Sequence, residues 1–203
     1  LGAEPKLADC TRSLAIDAVT RERVKQRLRR ELGTQGPLLG VHPGNLGHAY
    51  NWSIGRYAEL VQRLMQHGRV LVTGSPKEIG LHAAIRKQIG EHPGRVAYVD
   101  DLSLRELIAA IEQLDVLTVS STGPLHLAGV LGTPVVGLFS THIEQSPLKW
   151  APYGPGHLIL QAPLLPGEDA NFPPERGTEQ MERISVDEVA AAVLSRVNRR
   201  QAV

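Results

Sequence analysis

The sequence has 203 residues, of which 42% are hydrophobic, and its 22 basic and 21 acidic side chains leave a formal net charge of +1. This apolar content is enough for a packed core in one large or two small domains. The near-neutral charge provides no overall field that would favour nucleic acid or a membrane surface, so no nucleic-acid partner is predicted. The single cysteine, Cys10, can neither close an internal disulfide nor hold a metal ion by itself. We therefore expect a globular protein of the reducing cytoplasm, without a zinc knuckle.

The amino-terminal segment contains no targeting signal. It reads "LGAEPKLADCTRS", lacks the charged-then-apolar order of a signal peptide, and does not begin with Met. The sequence has no run of 18 apolar residues, so it predicts no membrane-spanning helix. We expect the chain to start inside a longer protein, although a cleaved or engineered start would have the same sequence.

Residues 1–36 are predicted to form a linker and a basic helix. The stretch "TRERVKQRLRREL" is typical of an amphipathic helix with Val24 and Leu28 on one side, and the preceding "SLAIDAV" suits a strand or a linker. The simplest interpretation of the basic residues is a solvated helix face. Contact with a membrane surface or with another domain is the alternative.

Strands and helices alternate from residue 37 onward. Five apolar runs are predicted as strands: "PLLGVH", "RVLVTG", "RVAYVD", "DVLTV" and "PVVGLF". Helical patterns lie between them, and this alternation is the signature of βα units. Residues 37–160 are therefore predicted to form an α/β fold, a Rossmann-like, doubly wound, mainly parallel sheet with helices on both faces.

Two helices of this region have clear start signals. Ser75 and Glu78 form a Ser-x-x-Glu capping box, with Pro76 at the first helical position. Ser103 and Glu106 form a second capping box ahead of the next amphipathic pattern.

Proline and glycine are dense from residue 140 to residue 183, which predicts a long loop region, including 161–183, with one edge strand at "HLILQ". Residues 184–203 are predicted to form a C-terminal helix that packs on the domain, capped by Ser185. Its inward-facing residues are expected to be Val186, Val189, Ala190, Val193 and Val197.

The most informative loop is the Ser-Ser-Thr-Gly-Pro turn before a short apolar helix pattern. A helix that starts near Gly123 offers unsatisfied backbone N–H groups and a positive dipole end to an anion. Gly123 allows a phosphate to approach the backbone, where a Cβ would crowd both the turn and the ligand, and Ser121 and Thr122 add hydroxyl donors. The alternative is that Thr122 or Gly123 only caps a core helix.

Three further positions are candidates with a structural alternative. His126 lies in the first turn of the same helix, where it would either donate to a phosphate or pack. Glu78 lies just past the second strand, where a carboxylate holds ribose hydroxyls in α/β nucleotide sites, or it serves its capping box alone. Trp52 is either a stacking surface or part of the core.

The sequence also excludes several classes of site. The loop "HPGNLGHAYNW" has Gly44 and Gly47 after a strand but neither G-x-G-x-x-G nor the Gly-Lys-Ser of a P-loop. Ser-His-Asp, Cys-His and H-E-x-x-H arrangements are absent. The residues therefore predict a binding site without a recognisable reactive group.

Seven segments, in order, resemble the C-terminal half of the heptosyltransferases, glycosyltransferase family nine, between residues 38 and 197. They are "GVHPGN", "RYAELVQRL", "VLVTGS" with Glu78, "DDLSLRELIAAI", "SSTGPLHLAGVLGTPVVGLF", "KWAPYG" and "MERISVDEV". The most specific is T-G-P-L-H-L-A-G, similar to the family's block of aspartate, Thr-Gly-x-x-His-x-Ala.

The resemblance implies one half of a GT-B architecture, in which the C-terminal Rossmann-like domain binds a nucleotide-sugar donor. The acceptor domain, with the catalytic carboxylate, would then be missing from this chain. Family members are metal-independent inverting transferases that use ADP-heptose and a lipid-anchored lipopolysaccharide core at the cytoplasmic face of the inner membrane. The resemblance therefore implies no metal and no cofactor, with the nucleotide sugar as a substrate. Peripheral contact with that membrane is implied as a further option.

The resemblance also implies positions for the donor. The pyrophosphate would lie at Thr122, Gly123, Leu125 and His126, and the nucleoside near Glu78. The remaining donor-binding candidates are Gly44 and Asn45 on the opposite wall, with Gly74, Ser75, Tyr50, Asn51, Trp52 and Ser121.

The sequence departs from the family at two positions. Tyr50 stands where many members have a lysine, and Ser121 stands where they have the aspartate before Thr-Gly. Another nucleotide sugar than ADP-heptose is therefore left open. The alternative functions are a non-catalytic nucleotide-binding module derived from the family and, less favoured without G-x-G-x-x-G, a nicotinamide-dependent dehydrogenase.

Overall fold

The computed structural model of the chain describes residues 14–47, 49–172 and 176–201. Cys10 and the rest of the amino-terminal segment "LGAEPKLADCTRS" lie outside these ranges, so the predictions made for them are not tested. Within them, no helix has both the length and the apolarity needed to cross a membrane.

The described residues form one six-stranded, wholly parallel sheet in the order β3-β2-β1-β4-β5-β6. The strands are β1 (Leu38–His42), β2 (Arg69–Thr73), β3 (Val96–Val99), β4 (Val116–Ser120), β5 (Val135–Phe139) and β6 (Leu158–Gln161). The central strands are buried on both faces, which is why they are continuous apolar runs rather than alternating ones. The predicted Rossmann-like parallel sheet is confirmed.

Helices cover both faces of the sheet. They are α1 (Ala18–Leu32), α2 (Ile54–Leu64), α3 (Ile79–Ile89), α4 (Leu104–Gln113), α5 (Gly123–Leu131), α6 (Pro147–Trp150), α7 (Gly177–Met181) and α8 (Val186–Gln201). The helices α1, α4 and α5 enclose one core cluster, and α2 and α8 enclose the other. The fold is therefore doubly wound, as predicted.

The basic helix α1 belongs to one of these layers. It begins at Ala18 because the Asp17 carboxylate accepts from the Thr20 N–H at 2.8 Å, so part of "SLAIDAV" is helical rather than strand or linker. Val24 and Leu28 are buried against α4, as the amphipathic pattern predicts. Arg21 pairs with Glu112 of α4 at 2.6 Å, so the helix is not wholly solvated on its basic side.

The region from 140 to 183 contains more regular structure than the predicted loop with one edge strand. The edge strand is β6, but a 3₁₀ turn at Ile143–Gln145 and the short helices α6 and α7 are also present. Pro147 is the first residue of α6, where its missing N–H costs nothing, so the proline that suggested a loop starts a helix instead.

The C-terminal helix α8 is confirmed, with its predicted cap. Ser185 donates its backbone N–H and its hydroxyl to Glu188, at 2.8 and 2.6 Å. Val189 and Val193 are fully buried, and the helix packs against α2. The segment boundaries at 36, 160 and 183 stay predictions.

The packing of α1 can be tested with Leu28→Ala. Because Leu28 is buried between α1 and α4, we expect its truncation to lower the free energy of unfolding by about 2–5 kcal/mol. Gln26→Ala, on the exposed side of the same helix, is the control and should change it by less than about 0.5 kcal/mol. Urea denaturation followed by circular dichroism measures both, and equal effects would contradict this packing.

Candidate functional site

The strand order reverses between β1 and β4, and ligands of open parallel sheets bind at the carboxyl ends of the strands beside such a point. A cavity of about 250 Å³ lies there, and we call it the Glu78 cavity. Its lining residues are His42, Gly44, Asn45, Leu46, Gly74, Ser75, Glu78, Leu107, Thr122, Gly123 and Pro124.

A second cavity, of about 470 Å³, adjoins the other side of the start of α5, and we call it the Trp150 cavity. Its lining residues are Ala49, Ser121, Thr122, Gly123, His126, Glu144, Gln145 and Trp150. Thr122 and Gly123 line both cavities, so the N-terminus of α5 lies between them.

The fold brings nine of the thirteen predicted site residues to these two cavities. They are Gly44, Asn45, Gly74, Ser75, Glu78, Ser121, Thr122, Gly123 and His126. The segments after β1, β2 and β4 supply seven of them, and α5 supplies Gly123 and His126 where the β4 loop enters the helix.

The other four predicted residues, Tyr50, Asn51, Trp52 and Leu125, line neither cavity in the described part of the chain. The Leu125 side chain is fully buried in the core, and its backbone N–H donates to the Thr122 carbonyl at 3.0 Å. Its N–H is therefore already engaged within the first turn of α5.

Tyr50, Asn51 and Trp52 make structural contacts. Trp52 is buried, and its indole N–H donates to the carbonyls of Met181 and Ile184 at 3.0 and 3.1 Å, so the core alternative describes its position. The Asn51 amide donates to the Pro43 carbonyl at 2.7 Å and thereby holds the loop after β1. The Tyr50 ring packs near Phe172, with 5.8 Å between the ring centroids.

Thr122 occupies the N-cap position of α5, but its hydroxyl does not cap the helix. The Thr122 Oγ1 atom is buried and has no hydrogen-bond partner among the described residues. Because a buried hydroxyl without a partner is costly, this atom is a candidate donor to a ligand. Thr122 therefore stands at the N-cap position of α5, but its side chain does not have the capping role that was the structural alternative.

Gly123 has open space where a Cβ would stand, with no protein atom within 4 Å. Its backbone is also outside the left-handed region. The expectation that a side chain here would crowd the turn is therefore wrong, because the loop does not approach this position. Crowding of a bound ligand stays a prediction.

The two carboxylate oxygens of Glu78 have different surroundings. Oε2 accepts from the Ser75 N–H and hydroxyl, at 2.9 and 2.8 Å, which is the capping-box role. Oε1 is buried and has no hydrogen-bond partner in the described part of the chain. A Cβ on Gly44 would lie 1.9 Å from Oε1, so the loop after β1 closes over this oxygen only because residue 44 is glycine.

Two buried histidines at or near the Glu78 cavity, His42 and His82, were not recognised from the sequence. His42 shares a hydrogen bond of 2.9 Å with the Thr73 hydroxyl, and burial lowers its pKa to about 4 against the opposing charge of Glu78. His82 lies against Gly74, with Nδ1 3.4 Å from Asp100. His42 is the last residue of β1, within the "GVHPGN" segment, and this position could have marked it as a site residue. His82 lies within α3, where no local sequence pattern marks it as part of a site.

Helix α5, rather than a cationic side chain, is the candidate source of positive potential at this site. No lysine or arginine lines either cavity in the described ranges. Burial lowers the pKa of His126 below its ordinary value of 6.5, so its imidazole is neutral at pH 7. The positive potential at this edge therefore comes from the backbone N–H groups and dipole of α5.

The far wall of the Trp150 cavity was also missed by the sequence reasoning, although "KWAPYG" includes Trp150. The Trp150 indole N–H donates to the Glu144 carbonyl at 2.8 Å, and the residue is 47% exposed. The Glu144 carboxylate lies 2.5 Å from the Lys149 ammonium, which lowers the pKa of Glu144. Gln145 accepts from the Tyr50 N–H at 2.5 Å.

No group of three or more His, Cys, Asp and Glu side chains that could hold a metal ion occurs among the residues with described positions.

The fold and the site define a Rossmann-like α/β protein with two cavities beside a helix N-terminus at the topological switch point. The sequence model of glycosyltransferase family 9 (heptosyltransferase) matches residues 6–169. The chain belongs to this family.

One curated relative and two solved structures are similar to this chain. Lipopolysaccharide core heptosyltransferase OpsX of Haemophilus influenzae is 33% identical over 106 residues, which cover 51% of this chain and 29% of that protein. The solved family 9 glycosyl transferase of Veillonella parvula has a TM-score of 0.76 at 19% identity, covering 92% of this chain and 53% of that one.

The structure of E. coli ADP-heptose lps heptosyltransferase II gives a TM-score of 0.71 at 19% identity, covering 96% of this chain and 57% of that one. At this level of identity the two solved structures show the fold alone. The chain spans about half the length of these solved relatives.

The closure of Gly44 over Glu78 predicts a strong coupling between the two positions. Gly44→Ala should lower the free energy of unfolding by about 1–3 kcal/mol, because the new Cβ cannot coexist with Oε1 in its present place. In a Glu78→Ala background the same change should cost much less. A double-mutant cycle by urea denaturation measures the coupling, with Gly123→Ala as the unobstructed control.

Proposed function

We propose that this chain is the donor-binding half of a family 9 glycosyltransferase, which transfers a sugar from a nucleoside diphosphate donor to a lipopolysaccharide-core-type acceptor. The observation that carries the proposal is the pair of buried, unpartnered oxygens, Glu78 Oε1 and Thr122 Oγ1, on residues that line one cavity at the switch point. Each could pair with a different part of such a donor.

The Glu78 cavity has the features required to hold the nucleoside. Glu78 Oε1 can accept a hydrogen bond from a ribose hydroxyl, as acidic residues do in other α/β nucleotide sites. Leu46, Leu107 and Pro124 provide apolar surface for the base or the ribose. Occupation would also remove the cost of leaving Oε1 buried without a partner.

The N-terminus of α5 would hold the pyrophosphate. The Gly123 N–H lies in the first helical turn, where no intrahelical acceptor is available, and the Thr122 hydroxyl adjoins it. As the glycosidic bond breaks, negative charge grows on the diphosphate leaving group, and a fixed helix dipole stabilises this charge without a metal. These features support a metal-independent mechanism, and inversion is proposed by resemblance to the family.

The donor is proposed to be a nucleotide sugar such as ADP-heptose, because the E. coli relative is named for that donor. Tyr50 and Ser121, in place of a lysine and an aspartate, keep other nucleotide sugars open. A domain outside this chain would supply the general base and bind the lipid-anchored acceptor, at the cytoplasmic face of the inner membrane.

A second candidate is a non-catalytic nucleotide-binding module derived from the family. The observation that favours it is that neither cavity has a lysine or arginine in its described lining, although a diphosphate leaving group carries several charges. Sugar transfer by a longer protein that contains this chain would exclude the module, and binding without transfer would favour it.

The nucleoside part of the proposal is tested by isothermal titration of the chain with ADP, GDP, UDP and NAD. We expect one nucleoside diphosphate to bind selectively and Glu78→Ala to weaken it by about 1.5–3 kcal/mol, because a charged acceptor for the ribose is lost. Glu188→Ala removes an equivalent capping box far from the cavity and should leave binding unchanged. Selective binding of NAD would instead support the dehydrogenase alternative.

The pyrophosphate part is tested at the start of α5. Thr122→Ala and His126→Ala should each weaken diphosphate binding by about 1–3 kcal/mol if they donate to charged phosphate oxygens. Gly123→Ala should weaken it as well while leaving the urea midpoint almost unchanged, because its Cβ meets only the ligand.

The matched control for Gly123→Ala is Gly55→Ala in α2, where a Cβ also makes only ordinary contacts. It should alter neither binding nor stability by more than about 0.5 kcal/mol. Unchanged affinity in the Thr122, Gly123 and His126 variants would contradict the placement of the pyrophosphate.

A further inference from the structure

Two further cavities lie at the opposite edge of the sheet from the candidate site, where β1, β2 and β3 begin. One, of about 180 Å³, lies between α1 and the first residues of β1 and β2. The other, of about 490 Å³, lies between the loop after α1 and the segment before β3. Thr34 and Arg69 line both, so the two cavities adjoin, and we call them the Arg69 cavities.

The lining of the Arg69 cavities is basic. No aspartate or glutamate belongs to it among the described residues, whereas its cationic members are Lys25, Arg29, Arg69 and Arg95. The two cavities at the other edge have the reverse composition, with glutamates but no lysine or arginine in their described lining. Because a concave surface lined by one sign of charge concentrates ions of the other sign, the Arg69 cavities favour anions.

The cations of α1 differ in whether they have acidic partners. On the side that faces α4 they are paired, as Arg23 is with Glu106 at 3.0 Å. Lys25 and Arg29 line the Arg69 cavities instead, and neither has an ion-pair partner in the part of the chain that the structure describes. They are four residues apart, a spacing at which like charges on a helix repel each other. An anion bound beside both would remove this repulsion.

Arg69 lies between the two cavities and is held by the loop after α1. Its two terminal nitrogens donate to the carbonyls of Gly33 and Gly36 at 2.7 and 2.8 Å. Its Nε atom is buried and has no hydrogen-bond partner among the described residues. Burial lowers the pKa of Arg69, although the charge of Asp115 opposes this effect. The guanidinium charge is therefore incompletely solvated, and a bound anion would stabilise it.

Helix dipoles account for only part of this cluster. Cations are favoured in the last turn of a helix, and Arg29 lies in the last turn of α1. Lys25 lies before that turn, Arg69 begins β2, and Arg95 immediately precedes β3. The dipole effect falls off within one turn, so it does not explain why these three cations line the same pair of cavities.

We propose that the Arg69 cavities form a second ligand site, which binds an anion that carries phosphate groups. Arginine presents several N–H groups to phosphate oxygens, and lysine adds a point charge. Cavities on both sides of Arg69 suit a ligand with more than one phosphate. None of the exposed large hydrophobic side chains of the described residues lines either cavity, so the site offers charge without an apolar membrane anchor. This site does not depend on the proposed donor-binding function.

The test follows single amides of the ¹⁵N-labelled chain by NMR while inorganic phosphate or pyrophosphate is added. The N–H groups of Thr34, Gln35 and Gly94 report on the Arg69 cavities, and the Gly123 N–H reports on the start of α5. The two edges of the sheet are therefore observed separately in one titration, even if pyrophosphate binds at both.

The variant for this test is Lys25→Gln/Arg29→Gln, in which glutamine preserves the helix propensity. Its matched control is Lys87→Gln/Arg105→Gln, which removes the same amount of charge. Lys87 and Arg105 are exposed and line neither of the Arg69 cavities. Circular dichroism confirms that both variants keep the helical content of the wild type.

We expect pyrophosphate to shift the three reporter amides saturably, and to bind more tightly than phosphate because it carries more charge. Lys25→Gln/Arg29→Gln should weaken this binding by about tenfold, because two charged donors are lost. The control should weaken it by less than about twofold, since distant exposed charges are screened by salt. Neither variant should alter the response of the Gly123 amide.

Vesicles distinguish the source of the phosphate. Saturable binding of pyrophosphate would assign the site to a soluble ligand. Flotation with phosphatidylcholine vesicles only when they contain phosphatidylglycerol, lost in Lys25→Gln/Arg29→Gln but not in the control, would assign it to lipid headgroups. Either result supports a phosphate site.

Two results would overturn this site. One is the absence of both a saturable amide shift and variant-sensitive vesicle binding. The other is an equal weakening by the two variants, which would indicate an effect of overall charge alone. If nucleoside diphosphates left the Gly123 amide unchanged while the reporter amides still responded to pyrophosphate, the proposed function would fail and the second site would remain.

Discussion

The parallel pairing of β1 with β4 is the constraint on which the rest of the structure depends. Their register places His42 beside Val119, so the two strands end together and their loops leave the sheet at the same edge. Because the strand order reverses here, β2 lies beyond β1 and contributes Glu78 from the next loop. The apolar layers on both faces hold these strands, and the α5 N-terminus is consequently fixed between two cavities.

At this edge of the sheet, Glu78 and Thr122 each have one buried side-chain oxygen without a hydrogen-bond partner among the described residues. Glu78 uses one oxygen to start its helix and keeps the other without a partner. Thr122 stands at an N-cap position without using its hydroxyl for the cap. The local structure is therefore complete without these two atoms, and a ligand could engage them without first breaking protein hydrogen bonds. Such preorganisation lowers the cost of binding.

The two cavities contain few charged side chains. The cavities have no lysine or arginine in their described lining, and the nearby His42 and His126 have lowered pKa values because they are buried. A helix N-terminus then provides the positive potential, which is strong at short range and fixed in direction. Glu144, whose pKa is lowered by Lys149, places a negative charge on the wall of the Trp150 cavity.

The sequence alone determined the strands, the helix starts marked by capping boxes, and most of the predicted residues that line the two cavities. Apolar runs and capping boxes such as Ser103 with Glu106 act over a few residues, and parallel topology then carries the loops to one edge. The tertiary structure decided which side chains turn inward and which remain open: Trp52 packs in the core, Trp150 faces a cavity, and Gly44 closes over Glu78. These outcomes depend on contacts between residues far apart in the chain, which no local pattern records.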